Sequence, residues 1–132
     1  MTRVLGLAAI HNGRLLLCRK IDTWILPGGK TEENEDDLAC LERELDEEMP
    51  GLRSTLPPLD RLQLIGSFSG TTPHSHRQVK IIAYLGEAAS MPVLTSREIL
   101  EAVWTDNPEE FELSEITRRI VQHLRQLNLI GH

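Results

Sequence analysis

Leu38, Leu41, Leu45 and Met49 recur at three- and four-residue spacing through a segment whose other residues are mostly acidic. At about 100° per residue these four fall on one stripe, so the segment reads as a helix that buries it. Glu32 to Glu48 carries ten carboxylates and one arginine, half of the chain's twenty acidic residues. Glu44, Glu47 and Glu48 fall within about 100° of arc beside the stripe, because positions three and four apart are helical neighbours. Like charges at these spacings repel by a few tenths of a kcal/mol per pair. A solvated face is the ordinary reading of a charge run, yet such a face is better served by Glu alternating with Lys. Only Arg43 interrupts this run, four residues before Glu47 and able to hold it in place. A hard divalent cation turns the repulsion into coordination, since Mg²⁺ takes oxygen ligands and keeps several waters.

The remainder reads as strands around that helix. Val4 to Ile10 and Leu15 to Cys18 flank Asn12-Gly13, a tight-turn pair, and so predict a hairpin. Trp24 to Leu26 predicts a short strand stopped by Pro27, with Gly28-Gly29 giving backbone freedom after it. Asn34 is the expected N-cap of the acidic helix, with Glu35, Asp36 and Asp37 at the positive end of its dipole; Pro50 and Gly51 end it. Two strands flanking "SGTTPHSHRQ", a short strand at "EAVWTD", and a closing helix with Ile116, Ile120, Leu124 and Leu127 on one face complete a mixed sheet flanked by helices.

A chain of 132 residues with no linker or repeat is expected to be one domain, 1–132. Its net charge of −6 is local to the acidic run and argues against a partner such as a nucleic-acid polymer, though not against a nucleotide. Val4 to Ile10 is too short for a membrane span and carries no cleavage-site pattern, so a cytoplasmic protein with no membrane partner is expected. Cys18 and Cys40 lack metal-knuckle spacing and read as reduced structural thiols.

Gly29, five residues, Glu35, seven residues and then Arg43-Glu44-Leu45-Asp46-Glu47-Glu48 resemble the Nudix box, G-x5-E-x7-R-E-U-x-E-E-x-G-U with U aliphatic. "LPGGK" ahead of it and "SREILEAVWT" late in the chain extend the likeness to MutT-like members. The sharp part is the box, residues 29–52. One departure is Met49-Pro50-Gly51-Leu52, which inserts a residue or puts proline for the glycine. It follows the acids and is expected to alter the helix exit alone.

The resemblance implies a Nudix-type α/β/α sandwich with a mixed sheet, and hydrolysis of a nucleoside diphosphate derivative by water attack on the pyrophosphate link. It assigns Glu44, Glu47 and Glu48, with the Gly29 carbonyl, to Mg²⁺ or Mn²⁺, and Arg43 to orienting Glu47. Glu35 becomes a structural partner at the helix start. The general base comes from the box or from a later loop, where Glu98 is the candidate, though an exposed loop glutamate explains it equally; Glu101 is a weaker substitute. Arg19 and Lys20 could meet phosphate, or simply end a strand. Phe68 and Trp24 could stack on a base, or pack in the core; His74 and His76 read best as a solvated loop. Without the markers of NADH pyrophosphatases or dinucleoside polyphosphate hydrolases, the expected substrate is a small-molecule nucleotide, a nucleoside triphosphate, oxidised ones included. Nucleotide sugars, ADP-ribose and a non-catalytic ligand-sensing module are the alternatives. A homodimer is compatible with the resemblance.

Overall fold

The computed structural model describes residues 1–72, 76–94, 99 and 101–131. β1 (Thr2–His11) and β2 (Arg14–Lys20) form the predicted hairpin, with Asn12 at φ 49° and Gly13 at φ 79° supplying the two left-handed turn residues. β3 (Thr23–Ile25) follows, then β4 (Gly28–Lys30), helix α1 (Asp37–Glu48), β5 (Gln63–Thr71), β6 (Gln78–Glu87), β7 (Glu101–Thr105) and helix α2 (Glu115–Gln126). β1 runs parallel to β6 and antiparallel to β2 and β4, which makes the sheet mixed.

Alternation along the strands builds two cores. Leu5, Leu7 and Ala9 of β1, with Leu16 and Cys18 of β2, pack against Cys40, Leu41, Leu45 and Met49 from the α1 side. Ala8 and Ile10, with Leu15 and Leu17, point to the other face and meet Ile116, Ile120, Val121 and Leu124 of α2. Successive strand residues face opposite sides, so one helix covers each face and the fold is an α/β/α sandwich. Each Leu, Ile, Val or Met among these residues contributes about 1.5–3 kcal/mol by leaving water.

The site is positioned by a division of the sheet. β1 pairs with β4 over Val4–Gly6 but with β2 only at Ile10 and His11. Between these pairings the Leu7 N–H donates to the Pro27 carbonyl at 2.9 Å, while β2 carries β3 and β7 away. Gly28 sits at φ 144°, and a Cβ there would overlap the Leu5 carbonyl oxygen, so only glycine lets β4 lie this close to β1.

Two sequence expectations change. The N-cap of α1 is Asp36, whose carboxylate accepts the Ala39 N–H at 2.8 Å. Asn34 instead sits two residues earlier at φ 63°, a left-handed position that asparagine tolerates. The backbone freedom expected of Gly28-Gly29 is used by Gly28, and the pair also opens a short strand. Leu127 lies past the end of α2 and is half exposed, because the helix stops at Gln126. The box departure is absorbed after Glu48: Met49 caps α1 through its N–H to the Leu45 carbonyl, and the Leu52 N–H closes a turn on the Met49 carbonyl.

Candidate active site

The last turn of α1 contains Asp46, Glu47 and Glu48 and no basic residue. A helix dipole disfavours each carboxylate at this end by about 0.3–1 kcal/mol, so the helix does not place them there for its own stability. Glu48 follows the buried stripe and is only 2% exposed. Its Oε1 takes the Lys20 ammonium at 3.3 Å, and Lys20 is the last residue of β2. Its Oε2 has no hydrogen-bond partner among the described residues. Burial pushes the Glu48 carboxyl well above the usual carboxylate range; Lys20 opposes this, and the neighbouring Glu44 adds to it.

Glu44, whose side chain is 13% exposed, stands one turn earlier and lies over Gly29. A Cβ added at Gly29 would fall inside van der Waals contact of the Glu44 carboxylate, so the bare glycine is the cradle for that group. The Gly29 carbonyl faces the same helix and accepts the Cys40 thiol at 3.6 Å.

Arg43 does not chiefly serve Glu47. Its Nε and Nη2 donate to Glu35 at 2.8 and 3.0 Å, its Nη1 donates to Glu44 at 2.9 Å, and Nη2 also reaches the Lys30 carbonyl at 3.0 Å. Glu47 is 3.7 Å away and 58% exposed. The guanidinium fork matches one carboxylate face to face, and Glu35 takes that place, which holds its carboxyl down to about 2. Of the three glutamates expected to point the same way, Glu44 and Glu48 turn inward and Glu47 stays in solvent. Among the described residues no three acidic, His or Cys side chains stand close enough to hold an ion as they are.

A cation nonetheless fits the inward pair. One buried carboxylate oxygen lacks a partner, a second carboxylate lies beside it, and an ammonium has been drawn to the spot. These are hard oxygen donors, suited to Mg²⁺ or Mn²⁺.

A cavity of about 290 Å³ opens next to this pair, on the α2 side of the sheet division. Ile25, Leu26, Val79, Ile81, Ile116 and Ile120 supply apolar wall, and Lys20 and Gly29 stand at the end that meets the acids. Ser114 and Thr117 join the lining, the Ser114 hydroxyl donating to Thr117 Oγ1 at 2.7 Å.

The other expected residues fall as follows. Arg19 is turned from Lys20 by strand alternation; it binds Glu101 at 2.7 Å and donates to the Ile21 carbonyl at 2.7 Å. Phe68 packs edge-on against His123 in the α2-side core and does not line the cavity. Trp24 packs edge-on against Phe111 in the same core. Cys40 is fully buried. Glu98 and His74 lie outside the described residues. Sequence reasoning misses the cavity itself, because its walls come from segments scattered from β1 to α2, each of ordinary apolar composition. Periodicity places Ile116 and Ile120 on a buried face but does not say that the face is left partly unfilled.

A family model described as NUDIX domain matches residues 2–124. The MutT protein from Methanosarcina mazei Go1 superposes with a TM-score of 0.76 at 19% identity, over 96% of this chain and 94% of that one. A MutT protein from Bacillus halodurans gives 0.69 at 23% identity, over 94% and 82%. A bifunctional NMN adenylyltransferase/ADP ribose pyrophosphatase from Francisella tularensis, complexed with AMP and a manganese ion, gives 0.69 at 18% identity, over 96% of this chain and 41% of that one. At these identities the structural likeness is one of fold. A search of curated proteins gives no match.

Proposed function

We propose, from the premise that this chain belongs to the Nudix family of phosphoanhydride hydrolases, that it cleaves a nucleoside triphosphate, oxidised ones included, to the monophosphate and pyrophosphate. One observation carries the choice of substrate: Lys20 and Gly29 belong both to the acid pair and to the lining of the apolar cavity. A nucleobase is flat and largely apolar and suits aliphatic walls, with Ser114 and Thr117 offering a few polar contacts. A base seated there directs the attached phosphates toward Lys20 and the acids.

Glu44 and Glu48, joined by Glu47 after it swings in from solvent and by the Gly29 carbonyl, are the residues that would hold Mg²⁺ or Mn²⁺. When bound, the ion offsets phosphate charge and lowers the pKa of the attacking water. Arg43 acts as a positioning residue, fixing Glu44 over Gly29 while Glu35 fixes Arg43. The Lys20 ammonium meets the phosphate chain. Arg19, committed to Glu101 and the Ile21 carbonyl, acts through the turn it braces. Glu98 is the proposed acceptor of the water proton.

A hydrolysis screen with Mg²⁺ and Mn²⁺ over nucleoside triphosphates, nucleotide sugars, ADP-ribose and dinucleoside polyphosphates tests this reading. A triphosphate is expected to be cut fastest, and Glu48→Gln to be slower by at least about 100-fold. A nucleotide bound tightly and never cut would instead favour a sensing module. The Francisella protein is named for ADP ribose pyrophosphatase activity, so preference for ADP-ribose is the second outcome to look for.

A further inference from the structure

Ile21 is the first residue of the two-residue turn between β2 and β3, where Lys20 pairs with Thr23. Its φ is 57°. The other non-glycine residues with positive φ among the described residues are asparagines and a histidine, types that visit the left-handed region readily. For a β-branched residue this conformation is an outlier, and hairpin turns place glycine or asparagine there. Nor does packing account for the side chain, since Ile21 is 66% exposed. Neighbouring groups hold the strain in place: Arg19 Nη1 donates to the Ile21 carbonyl at 2.7 Å, and its guanidinium is itself fixed by Glu101. The chain thus keeps an apolar side chain in water, on a backbone that disfavours it. Ile21 lines the apolar cavity together with Lys20 and Gly29.

We propose that Ile21 is a specificity residue whose side chain lies on the nucleobase of the bound nucleotide at the mouth of the cavity. The inference rests on the nucleotide reading above and adds to it: the isoleucine, 66% exposed in the free protein, is covered by the base. An outlier retained at a ligand site is strain kept for binding. The turn becomes a fixed apolar flap, and discrimination comes from the area of base that it covers.

Ile21→Gly relieves the backbone and removes the contact, and Ile21→Asn does the same with a side chain suited to φ > 0. Both are expected to raise Tm, by roughly 3 °C or more. Both should raise the KM for dGTP about tenfold with kcat within about twofold, the pattern of lost binding common to ground and transition states. Inhibition by tripolyphosphate, which has no base, should stay within about twofold. An unchanged KM, a lowered Tm, or a parallel loss of tripolyphosphate inhibition overturns the proposal. Should the wild-type protein cut no triphosphate, equilibrium binding of dGTP in Ca²⁺ separates the two claims. Tenfold weaker binding by Ile21→Gly sustains the contact while hydrolysis fails; equal binding by both overturns the contact; no binding by the wild type overturns both.

Discussion

Lys20 Nζ stands 3.3 Å from Glu48 Oε1, where the end of β2 passes the last turn of α1. The ammonium is partly in water and the carboxylate is not, so the pair matters mainly for what it spares Glu48. Lys20→Met should destabilise the metal-free protein by about 1–3 kcal/mol, the cost of a buried charged group left without its partner. Adding Glu48→Gln should recover much of the loss. Urea denaturation of both single variants and the double variant measures the coupling; independent, additive effects would mean that the contact carries no energy.

Gly28 and Gly29 are adjacent but should fail differently. Gly28→Ala forces a Cβ into the Leu5 carbonyl oxygen from a left-handed backbone, and is expected to unfold the protein or cost more than about 3 kcal/mol. Gly29→Ala meets first the end of the Glu44 side chain, which can move. It should keep the fold to within about 1–2 kcal/mol while activity falls at least about 100-fold. Thermal melts beside initial rates separate the two, and equal loss of stability would contradict this account.

Glu35, held down to about 2 by Arg43, stabilises the fold at pH values above its unfolded pKa near 4.5. That contribution shrinks as the pH falls through the folded value. Glu35→Gln should therefore be less stable than the wild type at pH 7, with the gap closing between about pH 4.5 and pH 2. Urea midpoints across that range are the check, and a gap that widens toward acid would reverse the assignment. Arg43→Lys keeps the charge but loses the fork, and should show the same narrowing together with reduced activity.

Asp36→Ala should cost about 1 kcal/mol, the usual value of a lost N-cap, whereas Asn34→Gly should leave stability unchanged because glycine accepts its φ of 63°. Chemical denaturation of the two variants distinguishes the caps.

This last pair shows where sequence reading reaches its limit. The hairpin, the stripe of α1 and the buried face of α2 are legible because a period of two or 3.6 is local and repeated. Two acidic or amide residues at neighbouring positions are both acceptable caps, and only the path of the chain from β4 selects Asp36. The acid cluster was legible as spacing, but the inward turn of Glu44 and Glu48 depends on Gly29 and Lys20, which arrive from other strands. The fork of Arg43 is another case: Glu47, expected from the spacing, stands 3.7 Å away, but Glu35 takes two shorter contacts. Glu47 is near in sequence, while Glu35 is brought round by the loop that enters α1. Ile21 gave no signal, since an exposed isoleucine is unremarkable until its φ is known.

The proposed divalent-cation site is formed by Glu44 over Gly29 and by the buried carboxylate of Glu48, whose Oε2 has no partner among the described residues. Titration of Mn²⁺ followed by electron paramagnetic resonance tests it most directly, with the wild type beside Glu48→Gln. Saturable Mn²⁺ binding by the wild type is expected, with affinity at least about tenfold weaker in Glu48→Gln. Equal affinity in the two proteins, or no binding by the wild type, would contradict the proposed site.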